Sequence, residues 1–368
     1  MENIDFSKQL LNKTTMKAIV TTGHGDYDKL SYEDVLIPQL NEDEVLVKVL
    51  ACGVNNTEIN TRLGWYSETV DKGTNNFNEN KHEIKEKGGW QGSTPFPLIQ
   101  GTDCCGIVVK AGNNVKNSND LLNNRVLIRC CQRVDGFNSF KTVWMASDFN
   151  GAFAEYVKVR ASEVFVVKSS WSDVELGSIP CAYGSAENMV HRANIKNNEK
   201  VLIVGASGGV GSALVQLVKR RGALVEGITS KGKMKQVLDI GCVNVYSRED
   251  KLIEKLGEEY YDAVMDNVGG STFPLMLKLL KRGGRFVTSG AIGGPNVSLD
   301  LRDLYLKDIT LIGCTMWDEP VFPNLISYIE KNEIKPLIAK VYKLKDIEEA
   351  QKEFLKKTHI GKIVLTPE

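Results

Sequence analysis

The chain has 368 residues, with 46 basic and 46 acidic side chains, and it is 42% hydrophobic and 25% charged. That length is too great for one ordinary hydrophobic core, so two domains are expected. The balanced charge excludes a general electrostatic attraction to nucleic acid or to an anionic membrane. We therefore predict a globular protein with no nucleic-acid partner and no membrane partner.

The N-terminal residues 1–15 contain two acidic residues and no long apolar run, which argues against a secretory signal of the usual kind. No stretch approaches the roughly 18 to 20 apolar residues that span a bilayer. The eight cysteines are scattered, several of them in apolar runs, as is typical of thiols in a reducing compartment. We predict a cytoplasmic protein with an N-terminal extension over 1–15.

The next part of the chain, from Met16 to about Tyr156, has the pattern of β-structure. Segments such as 16–20 and 44–50 alternate or cluster apolar residues and are separated by glycines and prolines. Residues 67–95 interrupt this pattern with a polar stretch rich in Asn, Lys and Gly.

This polar stretch is predicted to be a long surface loop. It is either a tolerated insertion, or a lid or cleft wall. The second alternative is suggested by Tyr66, Trp90 and Phe96, which lie in or beside it.

From about Asn198 onward, short apolar strands alternate with helical stretches. The predicted strands are Val201–Val204, Ala223–Thr229, Ala263–Val268, Arg285–Ser289 and Ile309–Cys314. Continuous apolar strands between helices indicate a parallel sheet covered on both faces, which is the doubly wound α/β class. The tail then returns to a helix over Lys345–Lys357 and a last strand over Lys362–Leu365.

A glycine-rich turn joins the first of these strands to the helical stretch Ser212–Arg221. Its candidate cofactor-binding residues are Gly205, Ser207, Gly208, Gly209, Val210 and Gly211. Gly205 permits a tight turn, Gly208 leaves space for a pyrophosphate, and Gly211 lets helix and sheet pack closely. The helix N-terminus then directs unpaired N–H groups at the phosphates. The sequence therefore predicts a Rossmann-type dinucleotide site.

The second strand of this sheet bears on the choice of dinucleotide. NAD-preferring sites usually place Asp or Glu at its end, whereas this strand ends in Thr229, Ser230 and Lys231. A 2′-phosphate would be tolerated there, and Lys231 would attract it. We therefore predict a preference for NADPH over NADH. The alternative is that the lysines of this loop only face solvent.

Several separated motifs occur in one order along the chain. They are 16-MKAIV-20, 43-DEVLVKV-49, 52-CGVNNTE-58, 101-GTDCCGIV-108, 151-GAFAEY-156, the glycine turn, 266-DNVGG-270 and 359-HIGKIVL-365. Together they resemble the medium-chain dehydrogenase/reductase superfamily over nearly the whole length from Met16. The resemblance implies a β-rich, GroES-like catalytic domain over 16–169, completed by 317–368, and an inserted Rossmann domain over 170–316. It also implies an active site in the cleft between the two domains.

The resemblance also bears on zinc. Zinc alcohol dehydrogenases carry a catalytic Cys where this chain has Asn55 and a His where it has Thr102, and only Cys181 matches a ligand position. A catalytic zinc needs about three protein ligands, usually His, Cys or carboxylate. Asp103 can reach a metal, but in the zinc enzymes this acid more often supports the site. We therefore expect no metal ligands and no zinc.

Without zinc, the chain is similar to the quinone oxidoreductase and enoyl reductase branch, and an NADPH-dependent hydride transfer to a quinone, enone or enal is expected. The resemblance implies Asn55 and Tyr66 as hydrogen-bond donors in the cleft. Their alternatives are a turn-forming Asn and a half-buried loop Tyr. Glu58 is a third catalytic candidate, although a carboxylate there can simply tie down a helix start. Ser289, Gly290 and Ala291 are expected beside the nicotinamide ring.

Two other functions stay open at this level. One is an alcohol dehydrogenase of the same superfamily, and the other is a non-catalytic dinucleotide-binding protein. The substrate is expected to be a small apolar carbonyl compound or quinone, because Tyr66, Trp90, Trp144 and Trp317 suggest an apolar cleft. The last strand of the sheet, 309–315, carries neither Pro nor charge. Such an edge, together with the family resemblance, predicts a homodimer or homotetramer.

Overall fold

The computed structural model describes residues 13–74 and 92–368. The strands are β1 (Thr15–Thr21), β2 (Leu30–Leu36), β3 (Glu44–Gly53), β4 (Leu98–Ile99), β5 (Cys105–Ala111), β6 (Arg125–Ile128), β7 (Cys131–Gln132), β8 (Val143–Trp144), β9 (Tyr156–Arg160), β10 (Val164–Val166), β11 (Lys200–Val204), β12 (Leu224–Thr229), β13 (Asn244–Ser247), β14 (Tyr261–Asp266), β15 (Leu280–Thr288), β16 (Thr310–Gly313), β17 (Ile338–Lys343) and β18 (Lys362–Thr366). The α-helices are α1 (Asn56–Leu63), α2 (Ser118–Leu121), α3 (Asp173–Leu176), α4 (Pro180–Arg192), α5 (Gly209–Arg220), α6 (Met234–Ile240), α7 (Leu252–Leu256), α8 (Phe273–Leu279), α9 (Leu301–Tyr305), α10 (Val321–Glu330) and α11 (Ile347–Leu355).

Strands β11 to β16 form a six-stranded parallel sheet in the order β13-β12-β11-β14-β15-β16. Alternate side chains of β11 enter two different cores. Val201 and Ile203 belong to one, and Leu202 and Val204 to the other. Because both faces of the strand are buried, its sequence is continuously apolar. The predicted doubly wound sheet is confirmed.

The remaining strands build a β-rich region in which β3 is central. It pairs with β5, β9 and β18, all antiparallel. Strand β18 comes from the chain's tail, where Val364 lies opposite Gly53 and Leu365 opposite Cys52. The tail therefore completes the sheet that the N-terminal half begins, and helix α10 packs against α4.

From Asn198 onward, the structure adds two strands to those expected from the sequence, β13 and β17. β13 is only four residues long, and β17 is largely exposed and contains two lysines, so neither carries the long apolar signal of a central strand. The expected edge strand is β16, which lies at one end of the parallel sheet. All eight cysteines are unpaired and buried. Among the described residues, no helix is both long and apolar enough to cross a membrane.

Candidate active site

The glycine turn between β11 and α5 has the backbone that the sequence predicted. Gly205 has φ of 76°, a left-handed conformation that favours glycine. A Cβ on Gly211 would lie 2.1 Å from the carbonyl oxygen of Gly205, so only glycine lets the helix start so close to the turn. Gly208 is the N-cap of α5 and brings no side chain to the phosphate position. The turn therefore fits a dinucleotide pyrophosphate at the helix N-terminus.

The end of β12 is more buried, and its charge more fully paired, than its sequence suggests. Thr229 is fully buried, and its hydroxyl has no hydrogen-bond partner among the described residues. Ser230 is partly exposed. Lys231 is exposed and its ammonium group forms an ion pair with Glu249. The predicted attraction of Lys231 for a 2′-phosphate is therefore offset by a carboxylate that the sequence argument did not consider.

A second lysine of the same loop is better placed. Lys233 is 9% exposed, and its Nζ donates to the carbonyl oxygens of Lys357 and His359, at 2.5 and 2.7 Å. Burial and then the charge of Arg248 lower the pKa of Lys233. From the sequence, Lys233 was only one of the lysines of this loop, and Lys231 was the expected phosphate ligand.

Lys233 thus joins the Rossmann sheet to the tail, which also touches the glycine turn. The N–H of Gly361 donates to the carbonyl oxygen of Ser207 at 3.1 Å. Burial, and then the charge of Lys233, lower the pKa of Lys357 to about 7. Burial and the charges of both lysines lower the pKa of His359 to about 4. A strip of basic groups therefore runs beside the dinucleotide turn.

Ser289, Gly290 and Ala291 line a cleft together with Gly209 and Val210, where the resemblance predicted the nicotinamide end. Asn267 fixes this segment. Its Oδ1 accepts hydrogen bonds from the backbone N–H of Ser289 at 2.8 Å and from its hydroxyl at 3.0 Å. Asn267 lies in one of the quoted motifs but was given no role from the sequence.

The cleft has a volume of about 820 Å³. Its aromatic lining residues are Trp65, Tyr66, Phe140, Trp144 and Phe354. Trp317, which the sequence suggested for this lining, is 1% exposed and packs edge-on against Trp144 with 5.7 Å between ring centroids. Trp317 therefore packs behind Trp144 and does not itself line the cleft. Trp90 lies outside the described residues.

Besides residues 92–95, the predicted surface loop is described over residues 67–74. Over this part it reaches the Rossmann sheet, because the N–H of Thr74 donates to the carbonyl oxygen of Ile292 at 3.0 Å. A Cβ on Gly73 would lie 2.5 Å from the same oxygen. Ile292 follows directly after Ser289–Ala291, so the start of the loop lies against the segment where the nicotinamide ring was expected.

Asn55 lines the cleft, but its amide group is engaged by the protein. Its Nδ2 donates to Thr102 Oγ1 at 3.0 Å and to Asp103 Oδ2 at 2.9 Å, and its Oδ1 accepts from the ammonium of Lys362. An amide nitrogen has two N–H donors, so both have protein acceptors here. The predicted role of Asn55 as a donor to substrate lacks geometric support in this arrangement.

Glu58 is fully buried at the start of α1. It accepts from the backbone N–H of Asn55 at 2.7 Å and from the N–H and hydroxyl of Thr102 at 2.9 and 2.6 Å. Burial raises the pKa of this carboxyl despite the hydrogen bonds from Thr102. These contacts form a capping box, and Glu58 is not among the residues that line the cleft.

Lys362, which the sequence did not single out, is the cation at the centre of this network. It is 3% exposed, and its Nζ lies 3.0 Å from Asp103 Oδ2. The other oxygen of Asp103 accepts from the N–H of Cys181 at 2.6 Å, at the start of α4. Burial lowers the pKa of Lys362, but neighbouring negative charge, led by Asp103, outweighs this and raises it overall.

Tyr66 supplies a different kind of group to the cleft. Burial raises the pKa of its phenol well above the usual range, although hydrogen bonds with Asn60 and Thr57 oppose this shift. The phenol is therefore protonated at neutral pH. Both neighbours also line the cleft, so Tyr66 belongs to a polar cluster within an otherwise aromatic wall.

Comparison with known proteins identifies this architecture. Residues 41–169 match the family model of the alcohol dehydrogenase GroES-like domain, and residues 209–331 match that of zinc-binding dehydrogenases. A crystal structure from Sinorhizobium meliloti 1021, provisionally assigned as an alcohol dehydrogenase, is 36% identical, with 99% of each chain covered and a TM-score of 0.88. The chain belongs to the medium-chain dehydrogenase/reductase superfamily. It is accordingly an NAD(P)-dependent oxidoreductase with a GroES-like domain and a Rossmann domain.

Two curated members of the superfamily are also similar over most of their length. An acryloyl-coenzyme A reductase from Sulfurisphaera tokodaii is 27% identical, with 96% of this chain and all of the relative covered. A human quinone oxidoreductase is 25% identical, with 88% of each chain covered.

The superfamily's zinc-ligand positions come together in this structure around Asp103. Asn55 is hydrogen-bonded through its side chain to Thr102 and Asp103, and the backbone N–H of Cys181 donates to Asp103. The positions that the resemblance assigned to zinc ligands therefore hold an Asn, a Thr and a Cys, and the ammonium group of Lys362 is hydrogen-bonded to Asn55 and Asp103. Within residues 13–74 and 92–368, no three His, Cys, Asp or Glu side chains group as metal ligands.

Proposed function

We propose that this protein is an NADPH-dependent reductase that transfers hydride, without zinc, to a quinone, enone or enal. The observation that carries the proposal is the ion pair between Lys362 and Asp103 among the superfamily's zinc-ligand positions. A divalent cation there would face a fixed ammonium group, and it would have to displace the three hydrogen bonds that join Asn55, Asp103 and Lys362.

Separate parts of the chain bind the two ends of the cofactor and the substrate. The turn 205–211 and the start of α5 bind the pyrophosphate, and Ser289–Ala291 hold the nicotinamide end, with Asn267 fixing Ser289. When bound, NADPH supplies the hydride. The protonated phenol of Tyr66 donates a hydrogen bond to the substrate carbonyl oxygen, where negative charge develops as hydride arrives.

The preference for NADPH is assigned to Lys233 rather than to Lys231. An ammonium group has three N–H donors, and Lys233 uses two of them for the carbonyl oxygens of Lys357 and His359 in the tail. The third is available to a 2′-phosphate beyond Thr229 and Ser230. Lys357 adds a second ammonium group beside Lys233, whereas His359, with a pKa of about 4, is neutral at pH 7. The tail therefore contributes to the anion site through Lys357.

Two relatives support a reductase function. One is an acryloyl-coenzyme A reductase and the other a quinone oxidoreductase. The first name denotes reduction of a thioester whose double bond is activated by a carbonyl group, as in an enone, and the second names a quinone directly. An alcohol dehydrogenase is the second candidate, because the structure that is 36% identical carries that provisional assignment.

The deciding experiment is a substrate panel of quinones, enones, enals and alcohols, each assayed with NADPH and with NADH. We expect turnover of quinones or enones with NADPH and at most weak oxidation of alcohols. Preferred turnover of alcohols would favour the second candidate. No turnover by a protein that binds NADPH would favour a non-catalytic dinucleotide-binding role.

Metal content tests the zinc-free part of the proposal separately. Protein purified without added metal should contain far less than one zinc per chain, and a chelator should leave its activity unchanged. One equivalent of zinc whose removal abolishes activity would overturn this part.

We also propose that the chain forms a homodimer or homotetramer through β16. Leu311 of this edge strand is 41% exposed, and the chain segment just before the strand exposes Leu301, Tyr305 and Leu306, at 63%, 62% and 54%. An unpaired apolar edge favours pairing with a second copy.

A further inference from the structure

A loop at the mouth of the cleft presents an aromatic side chain to solvent. The loop joins β7 to β8, which pair as Cys131 with Trp144 and Gln132 with Val143. Phe140, in this loop, is 88% exposed and also lines the cleft. An aromatic ring gains most from being covered, so this degree of exposure beside a binding cleft requires an explanation.

The base of the loop is fixed although its end is exposed. Arg133 is 7% exposed, and its guanidinium donates to the carbonyl oxygens of Phe137, Ser139 and Trp317. The ring of Phe137 lies 5.3 Å from this guanidinium. Because the residue just before Phe140 is held by a buried group, Phe140 is presented from an ordered base.

The cleft continues inward from Phe140 along apolar surface. Thr142 and Trp144 follow on the same loop and strand, and Met316 lies on the Rossmann side. An acceptor held at Tyr66 by its carbonyl group would direct an alkyl chain along this surface towards the mouth. Of the exposed apolar residues in the described parts of the chain, Phe140 alone also lines this cleft.

We propose that Phe140 is a specificity-determining residue that covers the alkyl chain of the substrate, and that the enzyme consequently favours enones or enals with a chain of several carbons. The inference rests on the proposed function, since it concerns the acceptor of the same cleft. Covering one methylene group raises affinity about 4-fold.

The test compares 3-buten-2-one, 1-hexen-3-one and 1-octen-3-one in the wild type and in Phe140→Ala, Phe140→Leu and Val243→Ala. Val243 is an exposed apolar residue, 58% exposed, that does not line the cleft. In the wild type, kcat/KM should rise with chain length. Phe140→Ala should lose about 10-fold or more on 1-octen-3-one and less than about 2-fold on 3-buten-2-one. Phe140→Leu should restore most of the loss, and Val243→Ala should match the wild type.

A binding measurement keeps the inference separate from the proposed function. Quenching of tryptophan fluorescence by the saturated ketones 2-butanone and 3-octanone, in the NADP⁺-bound protein, requires no turnover. If no enone is reduced but 3-octanone binds more weakly to Phe140→Ala than to the wild type, the proposed function fails and the inference stands. Equal chain-length dependence in both proteins overturns the inference. So does a lower oligomer mass for Phe140→Ala by light scattering, because Phe140 would then contact a second copy of the chain.

Discussion

Lys362 and Asp103 form a buried ion pair, with 3.0 Å between Nζ and Oδ2, although 259 residues separate them in the chain. The pair joins the last strand of the protein to the segment that carries Thr102. Asn55 and the N-terminus of α4 complete its hydrogen bonding. The tail is therefore tied to the active site by charge as well as by strand pairing.

Removing one partner of this pair should destabilise the protein more than removing both. Lys362→Met and Asp103→Asn should each cost about 3 to 5 kcal/mol in the free energy of unfolding, because each leaves an uncompensated buried charge. The double variant should be more stable than either single variant, because it leaves neither charge unpaired. Urea denaturation of the four proteins checks this, and additive losses would show that the two charges do not interact.

Tyr66 should act in the reaction and contribute little to folding. Tyr66→Phe removes one positioned donor and should lower kcat/KM by about 10- to 1,000-fold, with little change in melting temperature. Tyr305→Phe is the matched control, since Tyr305 is exposed on α9. Wild-type activity in Tyr66→Phe would exclude the phenol from the mechanism.

Asn55→Ala should instead affect both properties. The substitution leaves Lys362, Asp103 and Thr102 each without one hydrogen-bond partner. We expect a loss of about 1 to 3 kcal/mol in unfolding free energy, together with reduced kcat/KM. An unchanged melting temperature would contradict the network seen in the structure and would favour the simpler role as a donor to substrate.

The two lysines beyond β12 should differ in their effect on the cofactor. Wild-type enzyme should prefer NADPH over NADH by about 10- to 150-fold in kcat/KM. This factor corresponds to the free energy that one charge-assisted hydrogen bond to phosphate contributes. Lys233→Met should remove most of this preference. Lys231→Met should change it by less than about 3-fold, because Glu249 already balances that charge and both side chains are exposed. A larger loss of NADPH preference in Lys231→Met than in Lys233→Met would show that Lys231 binds the 2′-phosphate.

Dinucleotide affinity should depend on pH through Lys357. Its pKa of about 7 in the free protein means that the ammonium form is lost as pH rises past neutrality. A nearby phosphate favours the ammonium form, so binding takes up a proton above pH 7. Affinity for NADPH should therefore fall between pH 7 and 9, by up to about 10-fold per pH unit for one coupled proton. Calorimetric titration should show this fall in the wild type and a flatter profile in Lys357→Met.

A charge on the edge strand should disrupt self-association. Leu311 is 41% exposed on β16, and Leu311→Lys places an ammonium group where a second copy would pair. Light scattering at micromolar concentration should give an oligomer for the wild type and a smaller mass for the variant. A monomeric wild type would refute the proposed assembly.

The sequence by itself determined the architecture and the dinucleotide turn, because both depend on short-range patterns. Gly205 and Gly211 were predictable because a positive φ and a close backbone approach each require glycine at that position of the sequence. The apolar strands of the parallel sheet were predictable for a similar reason, because burial on both faces requires a continuous apolar run. The superfamily followed from ordered motifs.

Tertiary structure alone decided which polar groups reach the cleft. The sequence indicated Asn55 as a donor to substrate. In the structure its side chain is instead hydrogen-bonded to Thr102, to Asp103 and to Lys362, which lies 307 residues further along the chain. The sequence likewise indicated Lys231 as the phosphate ligand, but in the structure Lys231 forms an ion pair with Glu249. Lys233 instead contacts the tail, more than 120 residues further along the chain. The strength of a hydrogen bond or ion pair depends on distances between atoms, and no local pattern in the sequence fixes distances between segments so far apart.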